Sequence, residues 1–237
     1  MTPSKLAIFD IDGTLTQTNA IDHLCFIQTV QKFITTAFKT FEAESFTHFT
    51  DSCIIIELYE RYLQRQPTAT EEQNFKQYYF EALRGQLQEN PHYFKAVDGA
   101  AQILSTLKEK NWALALATGC WLESAHIKLE GGQIDIQTAP LATASDAITR
   151  QDIMLTAIQR AKEQHQTKDF EHIVYIGDGL WDKHSCASIH LPFVGIDANN
   201  TAYGTGKLDA FHLLANYNDT ERVEQLLLAA TTPVEVK

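Results

Sequence analysis

Apolar residues gather in four short runs along the chain: Leu6–Phe9, Trp112–Ala117, Ile173–Ile176 and Phe193–Ile196. Each is bounded by polar residues or glycine, and none alternates strictly, as expected of strands covered on both faces in a parallel sheet. Ile134–Thr138 is a weaker fifth candidate. Between the runs the spacing becomes helical. Val97, Ala101, Leu104 and Leu107 form one stripe, and Met154, Ala157, Ile158 and Ala161 another. Strands alternating with helices predict an α/β, doubly wound, Rossmann-like core.

The first two strands stand about a hundred residues apart, far more than one crossover helix requires. That interval is itself patterned as helix. Ile55, Leu58, Tyr59, Tyr62 and Leu63 recur at helical spacing, as do Phe75, Tyr78, Tyr79, Ala82, Leu83 and Leu87. Pro67 separates these stripes, and Pro91 follows Asn90 where the second stops. An earlier helix is predicted over Ile21–Phe38. The expected organisation is an α/β core of residues 1–16 and 94–237, with a helical cap of residues 17–93 inserted after the first strand. The connections near Gln17–Ala20 and Asn90–Lys95 are expected to act as hinges.

Composition narrows the possible roles. The chain has 237 residues, 44% of them hydrophobic, enough to bury a sizeable core. Thirty acidic against 19 basic residues give a net charge of −11, which repels phosphate backbones and argues against a nucleic-acid partner. No apolar run approaches the roughly 18–20 residues of a membrane helix, and Met1–Phe9 lacks the pattern of a signal peptide. Cys25, Cys53, Cys120 and Cys186 are widely spaced. They read as reduced thiols of a cytoplasmic protein rather than a zinc or disulfide framework. Local charge can oppose the global sign, so a small phosphorylated metabolite remains a compatible substrate.

Candidate chemistry sits at the strand ends. The first strand runs into Asp10-Ile11-Asp12-Gly13-Thr14, where two aspartates two positions apart share one side of an extended chain. Taken alone, that motif fits an Asp-Gly loop as well as a site. The second strand ends in Thr118-Gly119, and the strand at Ile173–Ile176 runs into Gly177-Asp178-Gly179-Leu180-Trp181-Asp182. Arg150 opens the helix between them. In open α/β sheets ligands bind beyond these strand ends. Four aspartates meeting there would repel one another without a cation. Magnesium, a hard ion that takes carboxylates, waters and phosphate oxygens, is the fitting one.

These motifs, in this order, resemble those of the haloacid-dehalogenase-like phosphohydrolase superfamily. Asp10-Ile11-Asp12-Gly13-Thr14 matches the first family motif, Thr118 the second, Arg150 the third, and Gly177, Asp178 and Asp182 the fourth. The insert is similar to the family's C1 cap, and the whole to phosphoglycolate phosphatases. At the third motif most relatives carry Lys, often followed by Pro, whereas Gln151 and Asp152 follow Arg150; Lys162 and Lys168 are fallback candidates.

The resemblance implies a magnesium-dependent phosphatase acting on a small phosphate monoester. Asp10 would attack phosphorus to give an aspartyl-phosphate, and Asp12 would protonate the leaving oxygen. Thr118, Gly119 and Arg150 would bind the phosphoryl group. Magnesium would be held by Asp10, the Asp12 carbonyl and Asp178, with Asp182 either a ligand through water or an orienter of Arg150. Asp12 argues against a dehalogenase or a phosphonatase, while a phosphosugar mutase keeps both aspartates and stays an alternative. A receiver-like signalling module is a further alternative, though it would be half this length.

Residues near these motifs carry two readings each. His23, His48 and His126 lack ligand spacing and read as packed or surface histidines. Thr50 or Asp51 fits a helix N-cap ahead of a substrate contact. Trp181 either lines the entrance or covers its helix, and Cys120 has no base beside it in sequence.

Overall fold

The computed structural model describes residues 2–42, 45–197, 208 and 212–234. Among these residues six strands form one sheet in the order β3-β2-β1-β4-β5-β6: β1 Lys5–Phe9, β2 Trp112–Ala117, β3 Leu141–Ala142, β4 His172–Gly177, β5 Phe193–Ile196 and β6 Leu213–Leu214. Every neighbouring pair is parallel. Phe9 pairs with Leu116 on one side and Ile176 on the other. The register therefore delivers Asp10, Thr118 and Asp178 to the same carboxyl edge.

Successive β1 side chains enter opposite layers. Leu6 and Ile8 pack with Met154, Ala157 and Ile158 of α6 (Arg150–His165). Ala7 and Phe9 pack with Ile103 and Leu107 of α4 (Ala100–Glu109) and with Leu227 of α8 (Thr220–Ala229). Both faces are thus buried, which explains the unbroken apolar runs.

Among the described residues, three α-helices precede α4 in the interval between β1 and β2 and form the insert: α1 Asn19–Phe33, α2 Asp51–Leu63 and α3 Ala69–Glu89. The Thr50 hydroxyl caps α2 by accepting from the Cys53 N–H. Thr68 and Glu71 form a capping box at α3. Pro91 opens a short 3₁₀ turn, Pro91–Phe94, where a missing N–H costs nothing. The insert packs on the core through Trp121, which precedes α5 (Leu122–Gly131). Its indole stacks on Phe26 with centroids 5.9 Å apart and meets Phe75 and Tyr79 edge-on. The chain enters and leaves the insert side by side. The Gln17 N–H donates to the Lys95 carbonyl at 2.7 Å, and the Val97 N–H to Leu15 at 2.9 Å.

Two expectations are corrected. Ile134–Thr138 is not a strand. Ile134 is buried in the α4 layer, and the Ala139 N–H closes a turn on Ile136 at 2.9 Å. The strand pairing comes beyond Pro140, at Leu141–Ala142. The first insert helix ends at Phe33 rather than Phe38. Phe38 stays buried because the chain folds back, its carbonyl accepting from the Gln31 side chain at 2.7 Å.

Candidate active site

Asp10 follows β1 directly, its N–H bonded to the Ile176 carbonyl of β4 at 2.9 Å. The chain then turns at Gly13, which has φ +71° and whose N–H donates to Thr16 at 2.7 Å. A Cβ on Gly13 would stand 1.8 Å from an Asp178 carboxylate oxygen. Only glycine lets this turn approach the end of β4. The carboxylates of Asp10, Asp178 and Asp182 lie within 4.8 Å of one another. Burial, reinforced by Asp182, raises the Asp10 carboxyl to about 7. Burial and Asp10 push Asp178 well above the carboxylate range. Asp10 Oδ1 is buried without a hydrogen bond, while Asp178 accepts from Asn19 at 2.8 Å. An orphaned carboxylate oxygen beside a second raised carboxyl fits a divalent, oxygen-ligated cation.

Arg150, the first residue of α6, reaches across this group. Its Nη1 donates to Asp182 at 2.8 Å and lies 3.6 Å from Asp10, and its Nη2 donates to the Phe49 carbonyl at 3.1 Å. Asp182 is fully engaged: Oδ1 accepts from Arg150 and the Tyr175 hydroxyl, and Oδ2 from the Gly179 N–H. Its contacts fit a role in orienting Arg150. Gly119 gives the guanidinium room, since a Cβ there would meet Nη2 at 2.4 Å. The Cys120 thiol is buried, and burial raises it far from thiolate formation, so it is no nucleophile.

Asp12 is held away from this group. Oδ1 accepts from Thr18 at 2.5 Å and Oδ2 from Lys128 at 2.6 Å. Lys128 also ion-pairs with Asp22 of α1, which accepts from the Tyr79 hydroxyl. Lys128 has no solvent exposure, so its carboxylate partners are what keep it charged. Sequence reading missed both Lys128 and Asp22. The available signal was a lysine set among the apolar residues Ala125, Ile127 and Leu129 of one helix.

One cleft of about 590 Å³, including its open mouth, joins these groups to the insert. Asp10, Asp12, Thr118, Gly119, Arg150 and Asp178 all line it, and Asp182 lies behind Arg150. Asp22, His23, Phe41, Phe49, Asp51 and Trp181 also line it. Asp51 accepts from the Trp121 N–H at 2.9 Å, and its own N–H donates to the Gly119 carbonyl at 2.8 Å. Burial, with Asp22 nearby, raises its carboxyl to about 8. Thr50 is thus the helix cap, whereas Asp51 and Trp181 face the cleft. Lys162 pairs instead with Asp169 at 3.1 Å. Neither Lys162, Lys168, His48 nor His126 lines the cleft.

The family model of haloacid dehalogenase-like hydrolases matches residues 7–196. No curated protein matches the chain. Among solved structures it is similar to a hydrolase from Pseudomonas syringae, at 19% identity and TM-score 0.70, covering 92% of this chain and 97% of that one. CbbY from Rhodobacter sphaeroides in complex with phosphate superposes at 17% identity and TM-score 0.60, covering 92% and 96%. A predicted phosphoglycolate phosphatase from Haemophilus somnus does so at 15% identity and TM-score 0.61, covering 93% and 97%. At these identities the likeness is one of fold.

Proposed function

The chain belongs to the haloacid dehalogenase-like hydrolase family, and on that premise we propose that it is a magnesium-dependent phosphatase of small phosphate monoesters. The observation that carries this reading is Asp10: buried at the cleft, with one oxygen unpartnered and the other 3.6 Å from Arg150. Phosphate bound to the CbbY neighbour supports the ligand class.

Asp10 and Asp178, with the Asp12 carbonyl, would hold magnesium. When bound, the ion neutralises the crowded carboxylates and the phosphoryl oxygens. The Asp10 carboxylate attacks phosphorus; the new O–P bond forms as the ester P–O bond breaks. Asp12 delivers a proton to the departing alcohol oxygen, then takes one from the water that cleaves the aspartyl-phosphate. Arg150 draws the equatorial oxygens toward itself, and Thr118 offers a hydroxyl beside them. Asp182 and the Phe49 carbonyl fix the guanidinium in advance, so little reorganisation accompanies the reaction. The insert, packed against the strand ends through Trp121, excludes water from the reacting centre. Residues 17–93 are proposed as the cap, hinged where the chain enters and leaves it.

Phosphate release from p-nitrophenyl phosphate and a panel of phosphorylated metabolites, with and without magnesium, tests the reading. Magnesium-dependent release that disappears in Asp10→Asn is expected. Full activity after exhaustive chelation, or in Asp10→Asn, overturns it. Isomerisation of a sugar phosphate without net release would identify a mutase instead.

A further inference from the structure

The cleft has two unlike groups of lining residues. Thr118, Arg150 and the Asp10 group suit a phosphoryl moiety. Asp22, Asp51, Phe41, Phe49 and Trp181 are left to receive the alcohol portion of an ester. Phe49 and Trp181 lie with centroids 4.4 Å apart and planes tilted by 31°, and Phe41 stacks on His23 at 4.9 Å.

No free positive charge serves that second group among the described residues. Arg150 is the one Lys or Arg lining the cleft, and its guanidinium is tied to Asp182, Asp10 and Phe49. Lys128 is held between Asp12 and Asp22. Burial lowers His23 to about 4, so it is neutral at neutral pH. A carboxylate or second phosphate on the alcohol would therefore meet Asp22 and Asp51 with no cation free to pair with it.

Asp51 offers the opposite opportunity. Its Oδ2 accepts from Trp121, whereas no described group donates to Oδ1. The backbone bond from Asp51 to Gly119 sets it directly over the loop that ends β2. An ammonium group placed there would draw the Asp51 carboxyl, which burial raises to about 8, into its ionised form and pair with it, within a cleft that Phe49 and Trp181 also line.

We propose that the substrate class is the phosphate monoester of a small amino alcohol, its phosphoryl group at Thr118 and Arg150 and its ammonium against Asp51 beside Phe49 and Trp181. This assignment rests on the phosphatase reading above. The bond chemistry is unchanged: the amino alcohol leaves with a proton from Asp12.

Three esters of matched size decide it: phosphoethanolamine, propyl phosphate with a methyl in place of the ammonium, and phosphoglycolate with a carboxylate. The kcat/KM for phosphoethanolamine should exceed that for propyl phosphate by about tenfold or more, with phosphoglycolate lowest. Asp51→Asn should bring the first ratio down to within about threefold. Calorimetric titration of the three esters into Asp10→Asn protein with magnesium should give the same order of affinity. Equal or better turnover and binding of propyl phosphate or phosphoglycolate by the unsubstituted cap overturns the proposal, whether or not Asp51→Asn folds. Absence of phosphate release from all esters, alongside tighter binding of phosphoethanolamine, would instead overturn the phosphatase reading and leave the ammonium site standing.

Discussion

Lys128 donates to Asp12 at 2.6 Å from a position with no solvent exposure. The same ammonium pairs with Asp22 of the insert, so one charge ties the proposed acid–base residue to the helices above it. Lys128→Met should leave two carboxylates without their counter-ion and destabilise the fold by about 3–5 kcal/mol. Chemical denaturation measures that loss. Combining it with Asp22→Asn should recover part of it, because one uncompensated charge is removed as well.

Arg150 touches three partners at once: Asp182, Asp10 and the Phe49 carbonyl. A lysine carries the charge but not the fork. Arg150→Lys should therefore keep the fold and lose phosphate-releasing activity by about a hundredfold, consistent with about 2–3 kcal/mol for one transition-state donor. Steady-state kinetics beside a thermal melt would separate the two effects.

Gly119 is required for space rather than for an unusual φ. Its added methyl would meet the Arg150 guanidinium at 2.4 Å and the Phe49 carbonyl at 2.8 Å. Gly119→Ala should displace Arg150 and cut kcat/KM by at least about tenfold. Gly85→Ala is the control, because nothing lies within 4 Å of its methyl; that variant should match the parent in activity.

The carboxyl of Asp10 is raised to about 7 by burial and by Asp182. Folding therefore strengthens its hold on a proton. That contribution is complete below the unfolded value near 4, and it fades as pH climbs through about 7. Metal-free protein should lose thermal stability across this window, and Asp10→Asn should lose less. Magnesium added at pH 8 should restore stability to the parent and much less to Asp10→Asn. Differential scanning fluorimetry over pH 4–8 reads both comparisons.

Strands were the most legible part of the fold. Trp112–Ala117 and Phe193–Ile196 coincide with β2 and β5 because sheet burial on both faces leaves apolar residues uninterrupted. Ile134–Thr138 misled because Ile134 and Ile136 alternate with polar residues as in a strand, while the two isoleucines pack on the core and pair with no strand. The two-residue strands β3 and β6 are too short to set a period. In the cleft, Asp10, Asp12, Thr118, Arg150 and Asp178 were readable from their places at strand ends and a helix start. Lys128 and Asp22 were not, and Asp51 was read first as a helix cap. Their proximity depends on how the insert rests on the core, and contacts between residues 70 or more positions apart leave no local pattern.

Strand β1 lies between β2 and β4, yet both partners come late in the chain, beginning at Trp112 and His172. A ribosome therefore completes β1 long before either flank can be covered. Its hydrogen-bonding groups and apolar faces must wait through the whole insert for β2 and still longer for β4. Pairing over such separations is slow and leaves strand edges open to other chains. The geometry that makes β1 a platform for Asp10 also makes it a hazard during synthesis, one that passes when β4 closes its second side.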